Sequence, residues 1–368
     1  MSGRGGLGDV VAVESRLSAI TGDDLTYRGI PIAELFARSS FEEVVFLLWF
    51  GRLPAAADLA AFRVRLTTAA MLSDVSLDLL RIATPGGPTL ALETGIAGLA
   101  LGEPSRDDPL DRAARLLAGL PAIVAAFDRL RRGLPPAPSV ESQSSGSIAE
   151  RFLAAWHGRE PTSAEVRTLD RSFILVADHE LNAATFAARV AASAGADLFS
   201  AILAAVATQS GPLHGGATQF AGELLSAATP EDAASDVIRR LDAGERIPGF
   251  GHPIYRQGDP RASYFRLLTE EFAAQSGDRH YLDAADRIAA VVADRKGLPP
   301  NMDLYAAACW RALGISSDLF PAIFALGRVA GWVAHIREQS ADNRLIRPRA
   351  HYAGPTNQRY VPIEERFS

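Results

Sequence analysis

Residues 198–222 read LFSAILAAVATQSGPLHGGATQFAG, an uncharged, alanine-rich run broken at Gly211-Pro212. Its length would suit a membrane span. The Ser, Thr, Gln, His and Pro residues and four glycines within it make a buried helix followed by a tight loop the better reading. Gly211 is the residue type that closes a helix with φ > 0, and Pro212 cannot continue one. A second helix is predicted over 217–228. Gly215 and Gly216 place no side chain beside His214, so a bulky group could approach the imidazole. The positive end of the second helix would disfavour a second proton on that ring. A neutral imidazole polarises a carbonyl by donating a hydrogen bond without adding charge. Taken alone, the stretch reads more readily as a satisfied histidine in an interhelical turn.

Outward from this run the chain is helix after helix. Ser40-Phe41-Glu42-Glu43 is a capping box opening a helix over 42–50, closed by Gly51 and Pro54. Helical apolar spacing follows over 58–71, 75–82, 90–101 and 110–133, the last interrupted near Gly119. Residues 134–147, proline- and then serine-rich, read as a surface loop. Helices resume over 147–157, 163–176 (with a Thr162…Glu165 box) and 183–195. Thr229-Pro230-Glu231-Asp232 starts another, with proline at the first helical position. Helices over 263–275, 281–295, 304–313 and 319–338 precede an extended tail. Strand-like pieces occur only within residues 1–35, at 9–14 and 25–32, and suggest a small N-terminal β hairpin. No βα alternation and no fixed-period repeat is present. The fold class is all-α.

The 368 residues suggest two domains. Hydrophobic content of 48% and charge of 22% are those of a globular protein. The net charge of −6 argues against nucleic-acid or anionic-membrane partners. Positive charge is almost all arginine, with Lys296 the only lysine, and arginine is the better carboxylate clamp. One cysteine, Cys309 in an apolar run, precludes an intrachain disulfide and fits a reducing, cytoplasmic setting. It reads as a buried structural thiol. No signal peptide opens the chain.

Three segments break helical regularity while offering ionisable groups: the His214 loop, residues 248–261 with His252, Asp259 and Arg261, and residues 299–303 with Asp303. Singly, His252 reads as a turn residue, and Asp259 and Asp303 as helix N-caps. Together, with arginines alongside, they describe a site for an anionic substrate. Two histidines and a carboxylate also suit a metal. No His-x-x-x-His or Glu-x-x-His spacing supports one, and the arginines would repel a cation. Walker and G-x-G-x-x-G loops are absent, and no nucleophile motif surrounds Cys309 or the serines.

Gly211–Gly216 (GPLHGG), Gly249–His252 (GFGH) with Asp259-Pro260-Arg261, and Pro300-Asn301-Met302-Asp303 resemble the three signature segments of the citrate synthase family. The resemblance extends to Asp178-His179-Glu180, Gly327-Arg328, Gly331-Trp332, Arg347-Pro348-Arg349 and the segment from Gly6 to Gly29, and so covers nearly the whole chain. It implies that Asp303 takes a proton from the methyl carbon of acetyl-CoA, that His214 holds the thioester oxygen, and that His252 polarises the ketone of oxaloacetate. It also implies that His179, Arg261 and Arg328, with Arg347 from a second subunit, hold the substrate carboxylates, and that Phe324 lies against that substrate. Arg256 and Lys296 are candidates for the CoA phosphates. No cofactor is implied, since the CoA thioester is itself a substrate.

By the same resemblance, residues 214–315 form a small domain closing over the substrate, and residues 1–213 with 316–368 a large, dimer-forming one. The chain begins at the core fold, so NADH control is not expected. Thr218-Gln219 stands where the family frequently has Asn-Glu, and Pro253 where Arg or Ala is usual, as in a divergent bacterial branch. These departures leave open 2-methylcitrate formation from propionyl-CoA, and a non-catalytic dicarboxylate- or CoA-binding paralogue.

Overall fold

The computed structural model describes residues 10–22, 24–101, 108–137, 146–252, 254–255 and 258–366. Pro253, Arg256 and the serine-rich middle of the 134–147 stretch lie outside the described residues, as does the start of the chain through residue 9. Among the described residues the first regular structure is a three-stranded antiparallel meander: β1 (Ser18–Thr21), β2 (Asp24–Tyr27) and β3 (Ile30–Pro31). The strand-like piece expected at 25–32 supplies β2 and β3 as a hairpin, while the described residues 10–14 of the other piece form no strand, and β1 lies further on. The buried Tyr27 anchors the meander, its hydroxyl donating toward the carbonyls of Ile174 and Asp178.

Helix α1 (Ile32–Arg38) was hidden by Pro31, which reads as a break and stands instead at the helix start. There a missing N–H leaves no hydrogen bond unmade. The capping box opens α2 (Phe41–Phe50) as expected. Next come α3 (Ala56–Ala69), α4 (Asp74–Ala83), α5 (Pro88–Leu101) and α6 (Pro109–Arg131). The interruption expected near Gly119 does not occur. A Cβ there would stand 2.8 Å from Leu99 Cδ1, so the glycine serves the close packing of α5 on α6. The remaining helices are α7 (Ile148–His157), α8 (Ser163–Val176), α9 (Ala183–Ser193), α10 (Leu198–Gln209), α11 (Gly216–Leu224), α12 (Pro230–Asp242), α13 (Pro260–Ser276), α14 (His280–Lys296), α15 (Met302–Ala312) and α16 (Phe320–Ala341).

Helix α16 is the axis of the core, packed against α2, α5, α6, α8, α9 and α10. Among the described residues only the segment Ser317–Ala341 is long and apolar enough to cross a membrane, and 94% of its apolar window is buried inside the protein. Helices α11 to α15 pack largely on one another, α12 on α14 and α13 on α15, with α13 also resting on α8 and α11 on α16. Cys309 lies within this group, and burial pushes its thiol up to about 12, which leaves it unreactive near neutral pH.

Candidate active site

The break between α10 and α11 is tighter than its sequence suggests. Helix α10 ends at Gln209, and Gly211 stays out of the left-handed region, contrary to expectation. The turn closes instead through His214 N–H on the Gly211 carbonyl and Gly215 N–H on the Gln209 carbonyl, each at 2.9 Å. A Cβ on Gly215 would stand 2.5 Å from the Gln209 oxygen, so this glycine answers a backbone approach. His214 lies just ahead of α11, as read from the sequence. Burial, and then the Arg328 charge, lower its pKa to about 4. The ring is therefore neutral at pH 7, and among the described residues its buried Nε2 has no hydrogen-bond partner.

The second and third breaks are joined to each other. Gly249 (φ 93°) and Gly251 (φ 70°) turn the chain through conformations open to glycine. This aligns it with residues 299–301: Gly251 N–H meets the Pro299 carbonyl at 2.9 Å and Asn301 N–H meets the Gly249 carbonyl at 2.9 Å. The Asn301 amide adds a 3.0 Å bond to the Gly251 carbonyl. Asn301 also caps α15, accepting the Asp303 N–H at 2.9 Å. The capping role read for Asp303 thus belongs to Asn301, and the Asp303 carboxylate is free for other work. Thr218 Oγ1 donates to its Oδ1 at 2.5 Å. Burial raises the Asp303 pKa, against the pull of Thr218 and Arg261.

His252 Nδ1 accepts two backbone N–H groups, Ile254 at 3.1 Å and Tyr255 at 3.2 Å. An Nδ1 that accepts carries no proton, so the neutral ring bears its hydrogen on Nε2. Burial, with Arg261, keeps it neutral against the opposing charge of Asp259. The His179 ring lies 5.4 Å from that of His252 and its Nε2 is 3.0 Å from the Tyr255 hydroxyl. Burial and the charges of Arg261 and Arg328 hold His179 well below its usual range.

The two buried arginines differ. Arg261 makes a two-pronged pair with Asp259 at 2.9 and 2.7 Å, while Asp259 also caps α13 as expected. Arg328 donates Nε to the Val176 carbonyl and lies 4.7 Å over the Phe324 ring. Among the described residues no carboxylate makes a salt bridge with it, and burial brings its pKa down to about 10.

His179, His214, His252, Arg261, Asp303, Phe324 and Arg328 line one cavity of about 330 Å³. Lys296 is exposed and lines an adjoining cavity of about 690 Å³ with Arg246, Leu298 and His252. Arg256 lies outside the described residues. Arg347 stands apart from both, exposed in a groove beside Arg16 and Arg337. Among the described residues no cluster of His, Cys, Asp or Glu could hold a metal. Sequence reasoning missed Tyr255 and the contact of Thr218 with Asp303. Tyr255 offered one signal, an aromatic in a glycine–proline loop between His252 and Arg261; Thr218 offered only its departure from the family pattern.

A carboxylate, neutral imidazoles and two buried guanidinium groups in one small cavity of an all-α fold are the groups a transferase needs to activate a carbon acid beside an anionic substrate. The family model "Citrate synthase, C-terminal domain" matches residues 6–349. Citrate synthase 2 of Bacillus subtilis is 41% identical over the full length of both chains. The 2-methylcitrate synthase of Shewanella oneidensis is 36% identical, covering 98% of this chain and 97% of its own. The structure of Thermoplasma acidophilum citrate synthase in a ternary complex with carboxymethyl coenzyme A and oxaloacetate superposes with a TM-score of 0.87 at 31% identity, covering 97% of this chain and 98% of its own. The chain belongs to the citrate synthase family and is an enzyme of it.

Proposed function

We propose residue roles for the reaction of this family, in which the chain condenses acetyl-CoA with oxaloacetate and hydrolyses the thioester to citrate and CoA. The observation that carries them is the buried Arg328, which makes no salt bridge among the described residues, in the same cavity as Asp303 and three neutral imidazoles. Oxaloacetate lies on Phe324 with its carboxylates on Arg328, Arg261 and His179. His252 gives its Nε2–H to the ketone oxygen. Asp303 takes a proton from the acetyl methyl carbon, and the electron pair moves onto the thioester oxygen, which the neutral His214 holds by a hydrogen bond. The new carbon–carbon bond forms at the ketone carbon, and the alkoxide takes the proton from His252. Water then adds at the thioester carbon and the C–S bond breaks; the proton held on Asp303 goes to the departing thiolate, and of the two water protons one restores the His252 Nε2–H and the other is released. The reaction as written calls on no cofactor.

An isolated aspartate, near 3.9 in water, is a weak base for a C–H acid, so burial that raises Asp303 favours the step. The walls support the division into a small domain of residues 214–315 and a large one formed by the rest. Asp303, His252 and Arg261 come from the former, and His179, Phe324 and Arg328 from the latter, so closure would exclude water between them. Lys296, beside the adjoining cavity, and Arg256 are assigned to the CoA phosphates. Arg347, away from the cavity of its own chain, is assigned to the site of a second copy in a homodimer. Mixing the inactive variants Arg347→Leu and Asp303→Asn should then restore up to about a quarter of full activity, since half the dimers are mixed and each carries one intact site. No restoration would rule out the shared site.

The test of the reaction is release of free CoA from acetyl-CoA plus oxaloacetate by the purified chain, and no release would sink it. The likeness to 2-methylcitrate synthases favours a second reading, with propionyl-CoA. One methyl group is worth about 1–3 kcal/mol of discrimination, so kcat/KM measured side by side decides, and equal or inverted preference selects the second reading.

A further inference from the structure

Several helical threonines in this chain turn their hydroxyls onto their own helix. Thr67, Thr68, Thr208 and Thr269 each donate their hydroxyl to the carbonyl four residues back in their own helix, the ordinary outcome for threonine inside a helix. Thr218 does otherwise. It sits in the first turn of α11, only 2% exposed, and sends its single proton across to Asp303 Oδ1 on α15 at 2.5 Å. A β-branched side chain has few χ1 choices in a helix, so the donor is held still. The Asp303 backbone N–H is taken by Asn301, and Oδ2 has no hydrogen bond among the described protein residues. One carboxylate oxygen is therefore engaged and the other left for the cavity.

We propose that Thr218 is the positioning residue of the base: its hydroxyl locks the Asp303 carboxylate so that Oδ2, and not Oδ1, receives the proton from the acyl-CoA methyl carbon. The C–H bond breaks, its electron pair moves to the thioester oxygen at His214, and the proton goes to Oδ2. This rests on the reading of Asp303 as base. The same hydrogen bond favours the ionised carboxylate against the burial that opposes it. It also ties α11, which follows His214, to α15, which carries Asp303, so base and oxygen-holder keep one spacing.

Thr218→Val removes the hydroxyl and keeps the shape, and Thr218→Ser keeps the hydroxyl. The valine variant should lose roughly 10- to 100-fold in kcat, with the acid limb of its kcat/KM profile for acetyl-CoA moved to higher pH. Its oxaloacetate-induced thermal shift should be unchanged. The serine variant should keep the native limb and stay within about threefold of native kcat. A valine variant with native kcat and native limb, or a serine variant that falls as far as valine, overturns the proposal. Asp303→Asn, measured alongside, separates the two levels. If it keeps turnover, both the base assignment and this inference fall; if it is inactive while the valine variant is unimpaired, only this inference falls.

Discussion

Replacing Arg328 by methionine probes the electrostatic centre of the site. In the free protein the guanidinium is buried over Phe324 and makes no salt bridge with a carboxylate among the described residues. Burial is the leading cause that brings its pKa down from the usual guanidinium range to about 10. That corresponds to about 3 kcal/mol of cost for the charged form, though 10 is far enough above neutrality to leave it charged. Methionine removes this cost and fills much of the volume. It also strips the Val176 carbonyl of the Nε–H donor it has now, a loss of about 1–3 kcal/mol. The two effects offset, so Tm of the free protein should move by no more than about 3 °C. Binding is not offset in this way. Losing one partner of a desolvated charge pair costs about 2–5 kcal/mol, so oxaloacetate affinity should fall by about 30-fold or more. Thermal-shift titration with oxaloacetate, together with steady-state KM, measures both. A methionine variant with the native ligand-induced shift and native KM would refute the claim that this guanidinium holds a substrate carboxylate.

Asp303→Asn should lower kcat by about 10²- to 10⁴-fold while the oxaloacetate-induced thermal shift persists, because His252 and the arginines are untouched; loss of that shift would place Asp303 in binding instead. His214 has a folded pKa near 4 against 6.5 for the free group, so above pH 6.5 both states are neutral and the group contributes nothing, and as pH falls from 6.5 toward 4 the unfolded chain takes up the proton first and stability is lost. Urea unfolding at pH 7 and pH 4.5 should therefore show His214→Asn narrowing the gap between the two by about 2–3 kcal/mol, and an unchanged gap contradicts the assignment. A Cβ at Gly331 would stand 2.4 Å from both the Ala177 carbonyl and Asp178 Oδ1, so Gly331→Ala should destabilise by about 1–3 kcal/mol in urea unfolding; native stability would mean that α16 and the residue 177–178 turn are not packed as described.

Much of the fold was legible because helix signals are local. The capping boxes at Ser40 and Thr162 lie where the pattern put them, since donor and acceptor are three residues apart. Errors arose where tertiary contact overrides local preference. Gly119 reads as a break but stands in mid-helix because Leu99 needs the space. Gly211 reads as a left-handed cap, but the turn closes through the carbonyls of Gly211 and Gln209. At the site, residue types were legible and their relations were not. Asp303 looked like a cap because nothing nearby showed that Asn301 takes that place.

The amino-acid sequence alone determined an all-α chain, three glycine–proline breaks and the kinds of groups they offer, because spacing, caps and turn chemistry act within a few residues. Only the tertiary structure decided that residues 249–251 pair with residues 299–301, that the His252 proton sits on Nε2, that Thr218 spends its hydroxyl on Asp303, and that Arg261 is paired with Asp259 while no carboxylate salt bridge reaches Arg328 among the described residues. Those outcomes depend on which side chains meet once the chain has folded and on how far water is excluded there, and desolvation is a property of the packed surroundings, not of the residue.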